Sequence, residues 1–355
     1  MANLYQQKIQ QAIQNCTPIY THLELTYRCN QCCFHCYAPI NQPRAELSTR
    51  QFKSVLDQLA ELGTLYLVMT GGEILMRDDF FEIAHHARKR AFALRLFTNG
   101  LKINQKVALK ISELKPLRME VSLYAVNPAI HDAITQIKGS HERTMNAIHL
   151  LIQSGLKVII KTPVMQSNFE EMVPLKKFSN QVGADFISNP LIVPRTSGSK
   201  DNLDLRLTAQ QLCRYYKEIN PLWSFFKPKV DQPLCGAGRG TMAITPFGDV
   251  YPCVQIQLKA GNITDQPLEK IWLKSPQMNK VRQLTLAQFS TCATCPDIEF
   301  CSPCPGLALA EEGNLTAPSA EACRQTRVRK TVFKKPTTEV LSTPATSPIN
   351  NDCFL

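Results

Sequence analysis

Residues 29–36 read Cys-Asn-Gln-Cys-Cys-Phe-His-Cys. Within this octet Cys29, Cys33 and Cys36 form a C-x3-C-x2-C set. Thiolates so closely spaced can hold three irons of a [4Fe–4S] cluster and leave the fourth iron open to a small molecule. A zinc site short of one ligand, or plain buried thiols, are the alternatives for the octet taken alone. Cys32 does not fit the spacing and reads as a bystander.

Working outward, Leu23-Glu24-Leu25-Thr26 reads as a strand that leads into the octet. Ser48 can cap a helix with Phe52, Val55, Leu56, Leu59 and Leu62 on one face, ended by Gly63. Leu65 to Met69 is then a short buried strand before the turn Gly71-Gly72-Glu73. A further helix leads to Leu94–Phe97 and to Thr98-Asn99-Gly100, and later strands fit 119–124, 157–162 and 185–193. Strand–helix alternation of this kind implies parallel strands with helices outside, as in an α/β barrel or a doubly wound sheet. Ligands in such folds bind at the C-terminal ends of the strands, where the octet and both turns fall.

The chain has 355 residues with 14 cysteines and a hydrophobic fraction of 44%, and it lacks both a long apolar run and an export signal. Closely spaced cysteines in that setting point to metal rather than disulfides, and to a cytoplasmic, non-membrane protein. The formal charge of +11 is lessened by thiolate-ligated clusters. Part of the excess, Arg324, Arg327, Arg329, Lys330, Lys334 and Lys335, reads as a solvated tail or a surface for an acidic partner. A zinc-stabilised nucleic-acid binder is disfavoured, because aromatics are 8% and are not interleaved with the basic run.

Strand, cysteine loop, helix, strand and Gly-Gly-Glu, in that order, resemble the radical S-adenosylmethionine (SAM) family over roughly residues 20 to 195. The resemblance implies a partial (β/α)6 barrel in which Cys29, Cys33 and Cys36 ligate a cluster and SAM chelates its open iron. It further implies that Gly71, Gly72 and Glu73 hold the methionine end of SAM, Phe34 lies near adenine, and Ser122 is another SAM contact. The Glu73 carboxylate could bind an ammonium group. The family cleaves SAM reductively to a 5′-deoxyadenosyl radical. Two departures stand out: Ile74 follows Gly-Gly-Glu where Pro is usual, and Ile134-Thr135 follows His131-Asp132 where relatives carry Arg. Lys138 or Lys161 could substitute for that Arg.

Cysteines resume at Cys235 and Cys253, then run Cys292-x2-Cys295-x5-Cys301-x2-Cys304, and end at Cys323. A zinc ribbon would leave three of these seven idle. The pattern resembles the SPASM domain, which implies two auxiliary clusters. By that resemblance Cys292, Cys295, Cys301 and Cys323 hold the outer one, and Cys235, Cys253 and Cys304 the inner one. Residues 236–252 contain no cysteine, so the inner cluster is expected to be open or unusually ligated. Cys16, Cys213 and Cys353 have no partners by spacing. The expected division is an extension over 1–19, the barrel over 20–207, a bridge over 208–233, the small cysteine-rich domain over 234–330 and a disordered tail over 331–355.

The resemblance also implies a peptide substrate and an electron donor such as flavodoxin or ferredoxin. Val254 follows Cys253 where the sulfatase-maturing branch carries an Asp, which points to maturation of ribosomally made peptides instead. A small metabolite or cofactor precursor is the runner-up substrate. About 20 residues precede the first barrel strand, so a separate leader-peptide recognition protein is expected. Asp249, Tyr251 and Glu299 lie near the later cysteines, but sequence names no general base.

Overall fold

A computed structural model describes residues 4–221 and 229–333. Six parallel strands come first: β1 Tyr20–Thr26, β2 Tyr66–Gly71, β3 Ala93–Thr98, β4 Arg118–Ser122, β5 Val158–Pro163 and β6 Asp185–Asn189. They are hydrogen-bonded in chain order, 6-5-4-3-2-1. A doubly wound sheet reverses its order at a switch point. Across these six strands the order does not reverse, and right-handed crossovers taken in one direction put the intervening helices on one face. The result is the partial barrel.

Side chains alternate as a half-barrel requires. Leu23 and Leu25 of β1, Leu67 and Met69 of β2, and Leu94 and Leu96 of β3 are fully buried in one apolar cluster with Phe52, Val55, Leu56 and Leu59 of the helix Thr49–Glu61. Ser48 caps that helix through a capping box with Gln51. The expected strand over 185–193 stops at Asn189, ahead of Pro190, which has no amide N–H to continue a ladder.

The other face of the sheet is polar. Glu120 on β4 accepts from Arg95 Nε and Nη2 at 2.8 and 2.6 Å, from Arg118 Nε at 2.9 Å and from Lys161 Nζ at 2.9 Å. Its side chain is 1% exposed. Burial acts to raise its carboxyl, but Lys161 and Arg95 outweigh burial and hold it below the usual range. Burial, with Arg95 and Lys161 adding to it, pushes neighbouring His22 down to about 3, so His22 is neutral.

The C-terminal region is built into this sheet. Strand β7 (Thr241–Ile244) pairs in parallel with β1, and β8 (Asp249–Tyr251) and β9 (Gly261–Asn262) follow antiparallel, making nine strands. The expected boundary at 233/234 therefore separates two cysteine groups, not two sheets. The bridge is helical as Ala209–Arg214 and continues as a π-turn, Tyr215–Ile219. The final helix, Ala320–Phe333, enters the stretch expected to be a tail; residues 334–355, with Cys353, lie outside the described residues. The basic run in that helix is not simply solvated. Arg324 donates to the Leu207 carbonyl, Arg329 to Tyr216 and the Phe300 carbonyl, and Lys330 pairs with Asp297. Among the described residues no helix is long and apolar enough to cross a membrane.

Replacing Glu120 by Gln strands buried cations, and we expect a loss of about 3–5 kcal/mol in denaturant unfolding. Breaking the exposed Lys157–Asp185 pair with Asp185→Asn serves as the contrast, with an expected change of at most about 1 kcal/mol.

Candidate active site

The cysteine loop leaves β1 at Thr26 and is tied at once to the end of β2. Gly72 N–H donates to the Thr26 carbonyl at 2.7 Å and Glu73 N–H to the Arg28 carbonyl at 3.0 Å. Gly71 sits at φ +132°, and a Cβ on either glycine would overlap a backbone oxygen, that of Thr26 for Gly71 and of Arg28 for Gly72. These glycines are thus required for chain-to-chain approach in the protein itself. The Glu73 carboxylate is buried and joins the two turns. It accepts from Thr98 Oγ1 at 3.0 Å, Asn99 N–H at 2.7 Å and Leu75 N–H at 3.1 Å, and the residue is 0% exposed. Burial raises its pKa, with those donors opposing. Glu73 locks the β2 turn to the β3 turn.

Cys29, Cys33 and Cys36 are grouped closely enough for their thiols to sense one another's charge. Cys36 N–H closes the loop on the Cys33 carbonyl at 3.1 Å. Burial pushes Cys29 up to about 11 and Cys33 up to about 12, and raises Cys36 as well. Buried thiols without a cation stay protonated; iron would supply the charge that makes them thiolates. Asn99 Nδ2 donates toward Cys29 Sγ at 3.9 Å, and Tyr124 Oη lies 3.8 Å from Cys33 Sγ. Cys32 is exposed, as a bystander would be.

Sequence reading missed Arg195. Its guanidinium donates to the Cys36 carbonyl at 2.6 Å and the Phe34 carbonyl at 2.8 Å, holding the far end of the loop. Only a planar fork reaches two carbonyls in this way, but an isolated Arg after a strand gives no sequence signal. Phe34 packs with Tyr124, Ile134, Met165 and Ile192 beside the loop. Ser122 ends β4, half-buried, at the same rim. Lys161 is held by Glu120 in the barrel interior and Lys138 is exposed, so neither is placed by the structure as a substitute for the absent Arg. Asp132 accepts from Gly139, Ser140 and His141 at the start of the helix Ser140–Gln153.

The later cysteines separate into two groups. Cys235, Cys253 and Cys304 sense one another's charge. Cys292, Cys295, Cys301 and Cys323 do likewise. Burial pushes Cys235 up to about 11 and Cys253 up to about 12. Among the described residues no three His, Cys, Asp or Glu groups converge as they would around a single ion. The thiols meet only at the longer reach of charge–charge interaction, and three plus four of them match the donor chemistry of multi-iron cores. Gln255 Nε2 is buried without a hydrogen-bond partner close to this region, where the Gln255 backbone abuts Gly306.

Between the first cysteine loop and the β7–β8 hairpin lies a small cavity lined by Glu24, Tyr27, Tyr37, Thr245, Tyr251 and Val254, among others. Glu24, on the inner face of β1, is 4% exposed and accepts from Tyr27 Oη at 2.6 Å. Burial raises its carboxyl to about 7 against the opposing Tyr27 hydrogen bond. Asp249, in the same hairpin as Tyr251, is already paired: Arg44 and Lys259 each approach it to 2.6 Å. A wider groove between Gln58 and Glu269 lies outside the helix Thr49–Glu61 and is lined by no cysteine.

The Radical SAM superfamily model matches residues 23–178, and the SPASM iron–sulfur cluster-binding domain model matches residues 235–296. The mycofactocin maturase MftC of Mycolicibacterium smegmatis is 30% identical over 308 residues, which span 80% of this chain and 77% of that protein. The AdoMet-dependent heme synthase of Methanosarcina barkeri is 26% identical over 322 residues, 82% of this chain and 92% of that one. Among solved structures, Streptococcus suis SuiB bound to its precursor peptide SuiA has a similar fold. Its TM-score is 0.69 at 16% identity, covering 89% of this chain and 79% of that chain.

Arg195→Ala should free the end of the cysteine loop and at least halve the iron retained per first-site cluster. Asp201→Ala, which removes an exposed partner of Arg195 and Ser199, should leave iron content within error. Gly72→Ala should weaken SAM binding by about tenfold or more in equilibrium dialysis, the equivalent of about 1.4 kcal/mol.

Proposed function

Because the chain belongs to the radical SAM superfamily and carries its SPASM cluster-binding domain, we propose that it modifies a ribosomally synthesised peptide with a radical derived from SAM. Its cofactors are SAM and iron–sulfur clusters. The reading is carried by one observation: Tyr37, next to Cys36, also senses the charge of Cys253, so the first and the inner thiol groups border one region of the fold. The precursor peptide bound to the structurally similar SuiB supports a peptide as that substrate.

We assign Cys29, Cys33 and Cys36 to the SAM-binding cluster, Cys235, Cys253 and Cys304 to the inner auxiliary cluster, and Cys292, Cys295, Cys301 and Cys323 to the outer one. When bound, the first cluster supplies the electron that cleaves SAM. The protein's own part is positioning and exclusion of water. The Gly71-Gly72-Glu73 backbone and Ser122 would hold the methionine end of SAM, and Phe34 would lie by its adenine. The packed strands beneath would shield a radical from solvent. An electron donor of the flavodoxin or ferredoxin kind, a separate leader-recognition protein and a cytoplasmic setting complete the proposal.

A small cofactor precursor is the second reading. It is favoured by the extent of the match to the heme synthase, 92% of that protein, and by the cationic inner wall of Arg95, Arg118 and Lys161.

Anaerobic incubation of the reconstituted protein with SAM and reductant should yield 5′-deoxyadenosine, and Cys33→Ala should abolish it. A precursor peptide encoded beside this gene should change mass or, after digestion in deuterated buffer, show an epimerised residue. Turnover of a tetrapyrrole with every such peptide unchanged would favour the second reading. Mössbauer spectra should show an auxiliary cluster with one iron not bound by cysteine; two fully cysteine-ligated auxiliary clusters would refute the open inner site.

A further inference from the structure

Tyr124 is held by side chains from three other parts of the chain. It lies two residues past the end of β4 and is buried, with its ring between those of His35 in the cysteine loop and His131. The centroid distances are 4.9 and 5.3 Å. Its backbone N–H donates to His131 Nδ1 at 3.2 Å, and its carbonyl accepts from Asn168 Nδ2 at 3.0 Å. The helix Pro128–Thr135 that supplies His131 also ends against the loop. There the Thr135 carbonyl accepts from Cys32 N–H at 3.0 Å, and the Ile134 carbonyl from Phe34 N–H at 3.4 Å. One short helix thus holds both Tyr124 and the two neighbours of Cys33. Between these restraints the Tyr124 hydroxyl lies 3.8 Å from Cys33 Sγ. The Cys33 thiol donates its own hydrogen to Gln31 Oε1 at 3.4 Å, and Ser122 is hydrogen-bonded to the Tyr124 hydroxyl.

We propose that Tyr124 is a positioning residue of the first cluster, whose hydroxyl donates a hydrogen bond to the Cys33 sulfur and so eases reduction of that cluster. Cys33 binds iron as a thiolate, which has lone pairs and no hydrogen. Gln31 presents an oxygen to this sulfur, and an oxygen of that kind cannot donate. The phenol can, because it keeps its hydrogen at neutral pH. A donor's partial positive charge favours the more negative state, so hydrogen bonds to the sulfurs of a cluster raise its reduction potential. In a buried setting such a contact keeps its strength. The other two thiols have donors of their own. Asn99 Nδ2 is directed to Cys29 Sγ, and the Ala38 N–H is hydrogen-bonded to Cys36. Packing alone does not call for a hydroxyl here, since phenylalanine would fill the same space between the two imidazoles.

The inference rests on the assignment of Cys33 to the first cluster, not on the identity of the substrate. In reconstituted holoenzyme, Tyr124→Phe keeps the ring and removes the hydroxyl. The first cluster is read by the electron paramagnetic resonance signal that changes when SAM is added and is lost in Cys33→Ala. At a potential that half-reduces the wild-type first cluster, the ratio of reduced to oxidised cluster should fall about tenfold in Tyr124→Phe, a shift of about 59 mV to more negative values for one electron. Iron per protein should stay within error. The auxiliary clusters of the same sample should keep their potentials and serve as the internal reference. 3-Fluorotyrosine at position 124, a stronger donor of nearly the same shape, should move the potential the opposite way. An unchanged potential in Tyr124→Phe, or a loss of iron with the remaining clusters at the wild-type potential, would overturn the role of Tyr124. Should Tyr124→Phe retain no cluster, the fluorinated protein decides, and an unshifted potential there would overturn the role as well. Persistence of the SAM-sensitive signal in Cys33→Ala would overturn the ligand assignment, and the inference with it.

Discussion

The active end of this barrel depends on how closely two backbones approach. Gly72 and Glu73 hand their amides to the carbonyls of Thr26 and Arg28, and the approach is possible only because positions 71 and 72 lack a Cβ. The ladder between β1 and β2 slips by one residue at this point, with Glu24 opposite Thr70 but Thr26 opposite Gly71. Such a bulge bends a strand and re-aims the residues beyond it. Here it turns the chain out of the sheet and into the cysteine loop. Glu73 then carries the restraint to β3 through Thr98 and Asn99, and Asn99 Nδ2 returns to Asn30 Oδ1 inside the loop at 2.8 Å. Three strand ends are thus joined, and the loop is fixed at its start by backbone and at its finish by Arg195.

The two carboxylates on the inner face of the barrel show how environment divides a common chemistry. Glu120 is surrounded by Arg95, Arg118 and Lys161, stays ionised and holds three strands together. Glu24, an equally buried group on β1, faces phenols and a thiol, and burial wins. Desolvation of a charge is expensive and is offset only by nearby opposite charge. The difference between the two sites is therefore the presence of cations, not depth. A barrel used only for packing would fill this face with branched aliphatic residues; this one spends it on ionisable groups.

Much of this architecture is legible in the sequence, for local reasons. Ser48 and Gln51 announce their helix because a capping box is a contact between near neighbours. The strands announce themselves because burial on the helix-facing side leaves an alternating trace in Leu23, Leu25, Leu94 and Leu96. The cysteine groups are visible as spacing, and the thiols gather in space into three sets. Contact across long separations is what sequence hides. The contacts of Glu73 with Thr98 and Asn99 are hidden in sequence, because a single turn does not reveal them. Arg195, 159 residues from the Cys36 carbonyl it binds, carries no motif. The basic run near 324–330 looks like tail in sequence because its partners, Leu207, Tyr216 and Asp297, lie far away in the chain.

The pairing of β7 with β1 is the contact of this kind with the largest consequence. Tyr20–Leu23 lies in register with Thr241–Ile244, so the hairpin bearing Tyr251 and Cys253 is fixed to the strand that bears Glu24. A cysteine-rich domain hung on a flexible bridge would leave the distance between the two thiol groups undefined. A shared sheet defines it, because a one-residue slip would turn every inner side chain outward. The apolar cluster of Ala243, Cys253, Val254 and Ile256 then packs against Tyr37 of the first loop. The cavity between the two cysteine regions is therefore built by strand register. Its one carboxylate comes from the barrel, and its opposing wall comes from the hairpin. The hydrogen-bonded ladder between β1 and β7 fixes both cysteine regions to one sheet.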